Sequence, residues 1–202
     1  MSEYILGIST SCGKGSVAIS CDSRLLFESE TYFNREFSSR LLPMIDHSIN
    51  QAGLTKKEIK YIAVDIGPGS FTGIRIGVAT ALGLVRGLGL KVAGYTSLEL
   101  ILNSFEELKE RVVPIIQAGK NEFYIMYKNE IKIMKEDSVI TNLKEDRPLT
   151  GILWDDSVIK KRFQYIECYP EARICCLLCS RADKNGLKSF IKPLYLKKSY
   201  VD

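Results

Sequence analysis

Hydrophobic and polar positions along the chain follow two alternating periods. Tyr4–Ser9 (YILGIS) is a short apolar run closed by a Ser-Thr-Ser-Cys-Gly turn. Gly15–Ser20 and Arg24–Thr31 follow as strand-like runs about the Cys21-Asp22-Ser23 turn. These three runs predict an antiparallel meander. The period then lengthens: Ser38–Ala52 sets Leu41, Leu42, Ile45 and Ile49 at helical spacing, and Gly53 stops the helix. Thr55 and Glu58 have capping-box spacing and predict a short helical turn. Tyr61–Ile66, apolar except for Asp65, predicts a central strand. Gly67-Pro68-Gly69-Ser70-Phe71-Thr72-Gly73 ends that strand and opens a helix to about Gly87. Lys91–Gly94 predicts a short strand and Ser97–Glu110 a helix.

The second half repeats this order more weakly. Val112–Ile116, Glu122–Lys128 and Ile131–Met134 are strand-like. Residues 135–150, polar and containing Pro148, predict a long excursion. Gly151–Trp154 predicts a strand, Cys168-Tyr169-Pro170 a loop and Ala172–Ser180 a helix. A group of strands followed by helices, twice over, predicts two α/β lobes, 1–104 and a smaller 105–202.

Composition narrows the class. With 46% hydrophobic and 26% charged residues, the chain can bury a real core, which excludes a disordered, collagenous or disulfide-stapled protein. A net charge of +4 is too mild to signal nucleic-acid binding by itself. The cations gather late: Arg181, Lys184, Lys188, Lys192, Lys197 and Lys198 stand against Asp183 alone, as a solvated face or as a contact for RNA phosphate. Six cysteines without a secretory start predict a cytoplasmic chain with reduced, structural thiols. The uncharged stretch Ile76–Val85, flanked by Arg75 and Arg86, is about half a membrane span, so no crossing is expected.

Candidate chemistry centres on Gly67–Gly89. Gly67, Gly69, Ser70, Thr72 and Gly73 form a strand-to-helix turn of the kind that can offer backbone N–H groups to a phosphate, although the spacing is not that of a P-loop. Within the helix, Gly73, Gly77 and Ala81 stack at four-residue intervals, with Gly83 and Gly87 nearby. Glycine in a helix costs about 1 kcal/mol against alanine. Such a stripe therefore implies close approach by another backbone, either the chain's own sheet or a partner's helix. His47, the sole histidine, reads as a core or interface residue. Cys12 lacks a nearby base, and Asp65 alone is weak ground for a water or metal site.

GPGSFTGIRIGVATALGLVRGL (Gly67–Leu88), followed by TSLE (Thr96–Glu99), closely resembles the signature of the bacterial TsaB (YeaZ) family. The likeness extends to ILGISTSCGKGSVAIS (Ile5–Ser20), SSRLLPMID (Ser38–Asp46), PIIQAGKNEFYIMY (Pro114–Tyr127) and PLYLKK (Pro193–Lys198). It implies a two-lobed actin-like ATPase (ribonuclease H-like) fold with a reduced second lobe. It also implies a non-catalytic scaffold for threonylcarbamoyladenosine synthesis next to the anticodon of tRNA. Such a chain pairs with a TsaD-like catalytic subunit, is joined by a TsaE-like ATPase, and can self-associate as a homodimer through the same face. That face maps to Leu41, Leu42, Ile45, Gly73, Ile74, Gly77, Val78, Ala81, Leu82 and Val85. The resemblance places ATP/ADP and a metal in the partner complex and no cofactor on this chain alone, with tRNA met through the complex.

Three positions depart from the family pattern: Ser9 replaces an acid, Phe37 a histidine, and Gln117-Ala118-Gly119 an Asp-Ala-Arg. These losses argue against independent ATP hydrolysis. The rivals to the scaffold are an autonomous ATPase or small-molecule kinase, a metallopeptidase, and direct RNA binding through Arg181–Lys198.

Overall fold

The computed structural model describes residues 2–32, 37–143 and 147–196. Strands β1 (Tyr4–Ser9), β2 (Lys14–Cys21) and β3 (Arg24–Tyr32) form the meander, followed by α1 (Phe37–Gln51), β4 (Ile59–Asp65), α2 (Phe71–Leu88), β5 (Lys91–Tyr95) and α3 (Ser97–Asn103). The second half contains β6 (Val113–Gly119), β7 (Glu122–Tyr127), β8 (Glu130–Lys135), α4 (Glu136–Asn142), β9 (Leu149–Ile152), α5 (Val158–Arg162), β10 (Tyr165–Glu167) and α6 (Ala172–Arg181). The first sheet has the order β3-β2-β1-β4-β5, and the second repeats it as β8-β7-β6-β9-β10. In each sheet the first three strands are antiparallel, and the last two are parallel to the first. This duplicated topology is the actin-like, ribonuclease H-like architecture. The second copy is reduced in its helices: α4 and α5 have 7 and 5 residues where α1 and α2 have 15 and 18.

The two faces of the first sheet differ in side-chain size. Leu6, Ile8, Val17, Ile19, Ile62 and Val64 point toward α1 and α2 and make the larger core with Leu41, Ile45, Ile74 and Val78. The alternate positions include Gly7, Ala18, Ala63 and Ala93, and on this thin face α6 seats Cys175, Cys176 and Cys179. Gly7 is essential to that approach, because a Cβ there would overlap the Ala172 carbonyl oxygen and lie 2.7 Å from Cys176 Sγ. Period-two alternation thus sets large residues against two helices and small ones against one.

The lobes exchange helices. α3 follows the first sheet yet packs on β6 and β9; α6 follows the second sheet yet packs on β1, β2 and β4. The expected boundary near residue 105 falls between the two sheets, and α3 and α6 each pack on the sheet of the other half of the chain. Other differences are local. Thr55 and Glu58 close a turn rather than a helix, with Thr55 N and Oγ1 both donating to the Glu58 carboxylate at 2.8 and 2.9 Å. The helix at Ser97 ends at Asn103, and Glu106–Leu108 forms a 3₁₀ turn. The excursion over 135–150 contains α4, whose only buried residue is Val139; one contact is too little to mark an apolar periodicity. α5 and β10 are likewise short, polar elements between Trp154 and Cys168.

Candidate functional site

The carboxyl ends of β1 and β4 meet the N-terminus of α3 around one fully buried acid, Asp65. Ser9 Oγ and Ser11 Oγ lie 2.9 and 2.5 Å from Asp65 Oδ2, and Ser97 Oγ lies 2.7 Å from Oδ1. The Gly67 N–H donates to Oδ1 at 2.9 Å. Ser9 Oγ also lies 2.8 Å from the Pro170 carbonyl oxygen, and Ser11 and Ser97 Oγ are 2.9 Å apart. The hydroxyls thus make five oxygen–oxygen contacts with only three protons. A proton retained on the Asp65 carboxyl would supply a fourth. Burial likewise pushes the carboxyl above its ordinary range, against the lowering effect of Ser11, Ser97, Gly67 and Ser9. Asp65 therefore organises a polar knot inside the first lobe and presents no lone pair outward to water or metal. In the sequence Ser9 stands out only as the replacement of an acid, and Ser11 and Ser97 have no assigned role; the one local signal is the Thr96-x-x-Glu99 capping box, which places Ser97 on the first turn of α3.

The glycine-rich turn is equally self-contained. Gly67 adopts φ +97°, and a side chain there would meet Ile74 Cδ1 at 2.6 Å. A Cβ on Gly69 would overlap the Ser11 carbonyl oxygen, to which Ser70 N–H donates at 2.6 Å. Ser70 caps α2 by accepting from Gly73 N–H at 3.2 Å, and Thr72 faces solvent. The turn thus clasps the β1–β2 loop. In the structure this turn packs within the chain, with the N–H groups of Gly67, Ser70 and Gly73 engaged there.

The helix stripe resolves the same way. Thr10 Oγ1 donates to the Gly73 carbonyl at 2.8 Å, and a Cβ on Gly77 would overlap that hydroxyl oxygen. Gly73, Ile74, Gly77, Val78, Ala81 and Val85 are buried toward the sheet, as are Leu41 and Ile45 of α1. The close approach is therefore made by the chain's own β1–β2 turn. Of the ten expected interface positions, Leu42 is exposed and Leu82 half-buried; these two remain at the surface. A Cβ added at Gly83 or Gly87 would meet nothing within 4 Å, so the outer side of α2 has open space at both positions. α2 is the one helix among the described residues long and apolar enough to cross a membrane; its inner side packs on β4 and β5 instead.

An apolar seam fills the region between the lobes: Cys12, Leu98, Ile101, Ile116 and Tyr124 form one buried cluster. Burial raises the Cys12 thiol, and Asp65 adds to the shift, opposite to what a nucleophile needs. Cys175, Cys176 and Cys179 are buried as expected, whereas Cys21 and Cys168 are partly exposed; all six are free thiols. Among the described residues no three His, Cys, Asp or Glu side chains converge as metal ligands. His47, expected in the core or an interface, is exposed and meets Phe27 edge-on at 5.8 Å. Phe37 lies in the core of the first lobe. Ser9 joins the Asp65 knot, where an acid would set two carboxyl groups face to face. Gln117 stays near its own loop, its Nε2 donating to the Gly119 carbonyl at 2.9 Å and its Oε1 accepting from Trp154 N–H at 3.3 Å. Two members of the late basic run have partners: Arg181 pairs with Glu106 at 2.6 Å, and the Lys184 amine caps the carbonyls at the end of α6. Lys197 and Lys198 lie outside the described residues.

Comparison with known proteins agrees with this architecture. The family model "TsaD: tRNA N6-adenosine threonylcarbamoyltransferase" matches residues 31–145. The tRNA threonylcarbamoyladenosine biosynthesis protein TsaB of Bacillus subtilis is 28% identical, over 79% of this chain and 75% of that protein. TsaB of Buchnera aphidicola subsp. Baizongia pistaciae is 31% identical, over 77% of this chain and 81% of that protein. In structure, YeaZ from Pseudomonas aeruginosa shares the fold with a TM-score of 0.78 at 23% identity, covering 96% of this chain and all of that one. Signature, duplicated sheet and relatives agree, and this chain belongs to the TsaB (YeaZ) family of threonylcarbamoyladenosine biosynthesis.

Proposed function

We propose that the chain is a non-catalytic scaffold subunit that pairs with a TsaD-like catalytic subunit in threonylcarbamoyl transfer to tRNA. The observation that supports this reading is the filled, self-satisfied region between the two sheets. The Cys12–Leu98–Ile116–Tyr124 seam fills it, and Asp65 is engaged by three serines and a backbone N–H. On this reading the chain contributes through a surface. Pairing uses the outer sides of α1 and α2, around exposed Leu42, half-buried Leu82 and the open positions Gly83 and Gly87. Two glycines without neighbours in a helix forgo about 1 kcal/mol each relative to alanine, a cost that close approach by a partner helix would justify.

On this reading ATP/ADP and a metal are held in the partner complex, a TsaE-like ATPase joins it, and tRNA is met mainly through the assembly. Homodimerisation uses the same face when the partner is absent. Co-purification of the chain with its host's TsaD-like protein, followed by light scattering, tests the pairing. Wild type is expected to give a one-to-one complex. Gly83→Gln, which has room in the free chain, is expected to abolish the complex without unfolding the subunit. No wild-type complex, or tight nucleotide binding by the isolated chain, would overturn the scaffold reading.

A further inference from the structure

The C-terminal residues 187–195 run as a strap over the outer edge of the first sheet. Val92 N–H donates to Lys188 O at 2.7 Å and Lys188 N–H to Val92 O at 3.3 Å. Leu194 N–H donates to Ile66 O at 2.8 Å. The Tyr195 ring lies 4.9 Å from that of Phe71, and Arg75 Nε donates to its hydroxyl at 3.4 Å. Between these anchors Phe190 is 55% exposed. A concavity lies on either side of its ring. One, of 580 Å³, lies between the strap and the β5 edge, with Ile66, Val92 and Ile191 in its walls. The other, of 350 Å³, lies between the strap and the outer side of α2, at Ala79, Leu82 and Gly83.

The charge around Phe190 has one sign. No acid occurs between Asp65 and Glu99, or between Asp183 and Asp202. Lys188 and Lys192 line the first concavity and Arg86 the second, and none of the three is in an ion pair among the described residues. A half-exposed ring between two aliphatic hollows, rimmed only by cations, has the composition of an interface centre awaiting an apolar side chain with acidic neighbours.

We propose that this strap is part of the pairing face, and that a protein partner seats an apolar side chain beside Phe190 while its acidic residues meet Lys188, Lys192 and Arg86. The proposal rests on the reading of α1 and α2 as the pairing side and extends that side to a segment outside both helices. The aliphatic walls favour a protein over RNA. Successive nucleotides stack on flat aromatic platforms along a continuous cationic path, whereas here a single ring stands between two pits.

Titration calorimetry between the full chain and its host's TsaD-like protein tests it, with Phe190→Ala, the double variant Lys188→Glu/Lys192→Glu, and Gly83→Gln. Phe190→Ala is expected to weaken binding by at least about tenfold with an unchanged unfolding temperature. The charge reversal is expected to weaken binding and to flatten its salt dependence. If Gly83→Gln abolishes binding while both strap variants bind like wild type, the strap proposal fails and the helix face stands. If wild type forms no complex, both fail together. Fluorescence anisotropy with labelled tRNA supplies the remaining arm. Loss of tRNA binding in the double variant with the protein complex intact would overturn the proposal in favour of RNA.

Discussion

Gly77 and Gly83 lie on the same helix, six residues apart, in opposite environments, and alanine at each should move stability in opposite directions. At Gly77 a methyl overlaps Thr10 Oγ1 and comes within 3.3 and 3.4 Å of Thr10 Cβ and Cγ2. Thr10 is fully buried and β-branched, so turning its side chain away exchanges one clash for another and breaks its 2.8 Å bond to the Gly73 carbonyl. Overpacking of this kind costs about 1–3 kcal/mol. The lost hydrogen bond adds about 1 kcal/mol, and the helix gains about 1 kcal/mol from replacing glycine. Gly77→Ala should therefore destabilise by about 1–3 kcal/mol. Gly83→Ala meets nothing within 4 Å and should stabilise the isolated chain by about 0.5–1 kcal/mol. For a domain of this size the two variants should differ by roughly 5–15 °C in unfolding temperature, read by circular dichroism and by urea midpoints. Thr10→Ala placed in the Gly77→Ala background should recover part of the loss, because the two residues share one contact. A Gly77→Ala protein as stable as Gly83→Ala would refute the inward reading of the stripe and return Gly77 to the surface.

Further predictions concern the thin face, two acids with raised pKa and the thiols. Gly7→Ala should loosen α6 from the first sheet, raising hydrogen exchange in Ala172–Arg181 selectively over α1, because the new methyl overlaps the Ala172 carbonyl oxygen. Glu28 is raised to about 7, chiefly by burial and then by Glu171, and Asp65 is also raised by burial. Both acids bind a proton more tightly folded than unfolded. Their stabilisation is complete below the unfolded carboxylate range and is lost as pH climbs through the folded values, for Glu28 around neutrality. Urea denaturation across this range should therefore show the advantage of wild type over Glu28→Gln shrinking as pH rises; a growing advantage would contradict the sign. With Ellman's reagent, the native protein should expose Cys21 and, more slowly, Cys168, whose thiol burial pushes up. Cys12, Cys175, Cys176 and Cys179 should react only after denaturation.

The first lobe is legible because its elements are long and their periods clean. Leu41, Ile45 and Ile49 mark α1 at helical spacing, and YILGIS and YIAVDI mark two central strands. The second lobe is read less well because its helices are short. α4 buries one residue and α5 one, so neither leaves a stripe in the sequence. The exchange of α3 and α6 between lobes has no local signature, since either helix could bury its apolar side on either sheet. The candidate site shows the same division. The GPGSFTG turn and the glycine spacing are plain in the sequence, and the Asp65 knot is invisible there because its members are 54, 32 and 56 residues from the acid.

Residue order alone was enough to place the sheet strands and the two long helices of the first lobe, to reveal the family signature, and to require that something approach the Gly73–Gly77–Ala81 stripe closely. Those properties are local, encoded in period, turn chemistry and the absence of side chains. What makes that approach is settled only in the folded chain. Thr10, 63 residues before Gly73 along the chain, occupies the stripe and turns a predicted partner surface into core. The outer side of α2 and the strap bearing Phe190 are consequently left as surface. A glycine stripe states that space is reserved for close packing; which backbone fills it depends on contacts between distant segments, and folding alone brings those together.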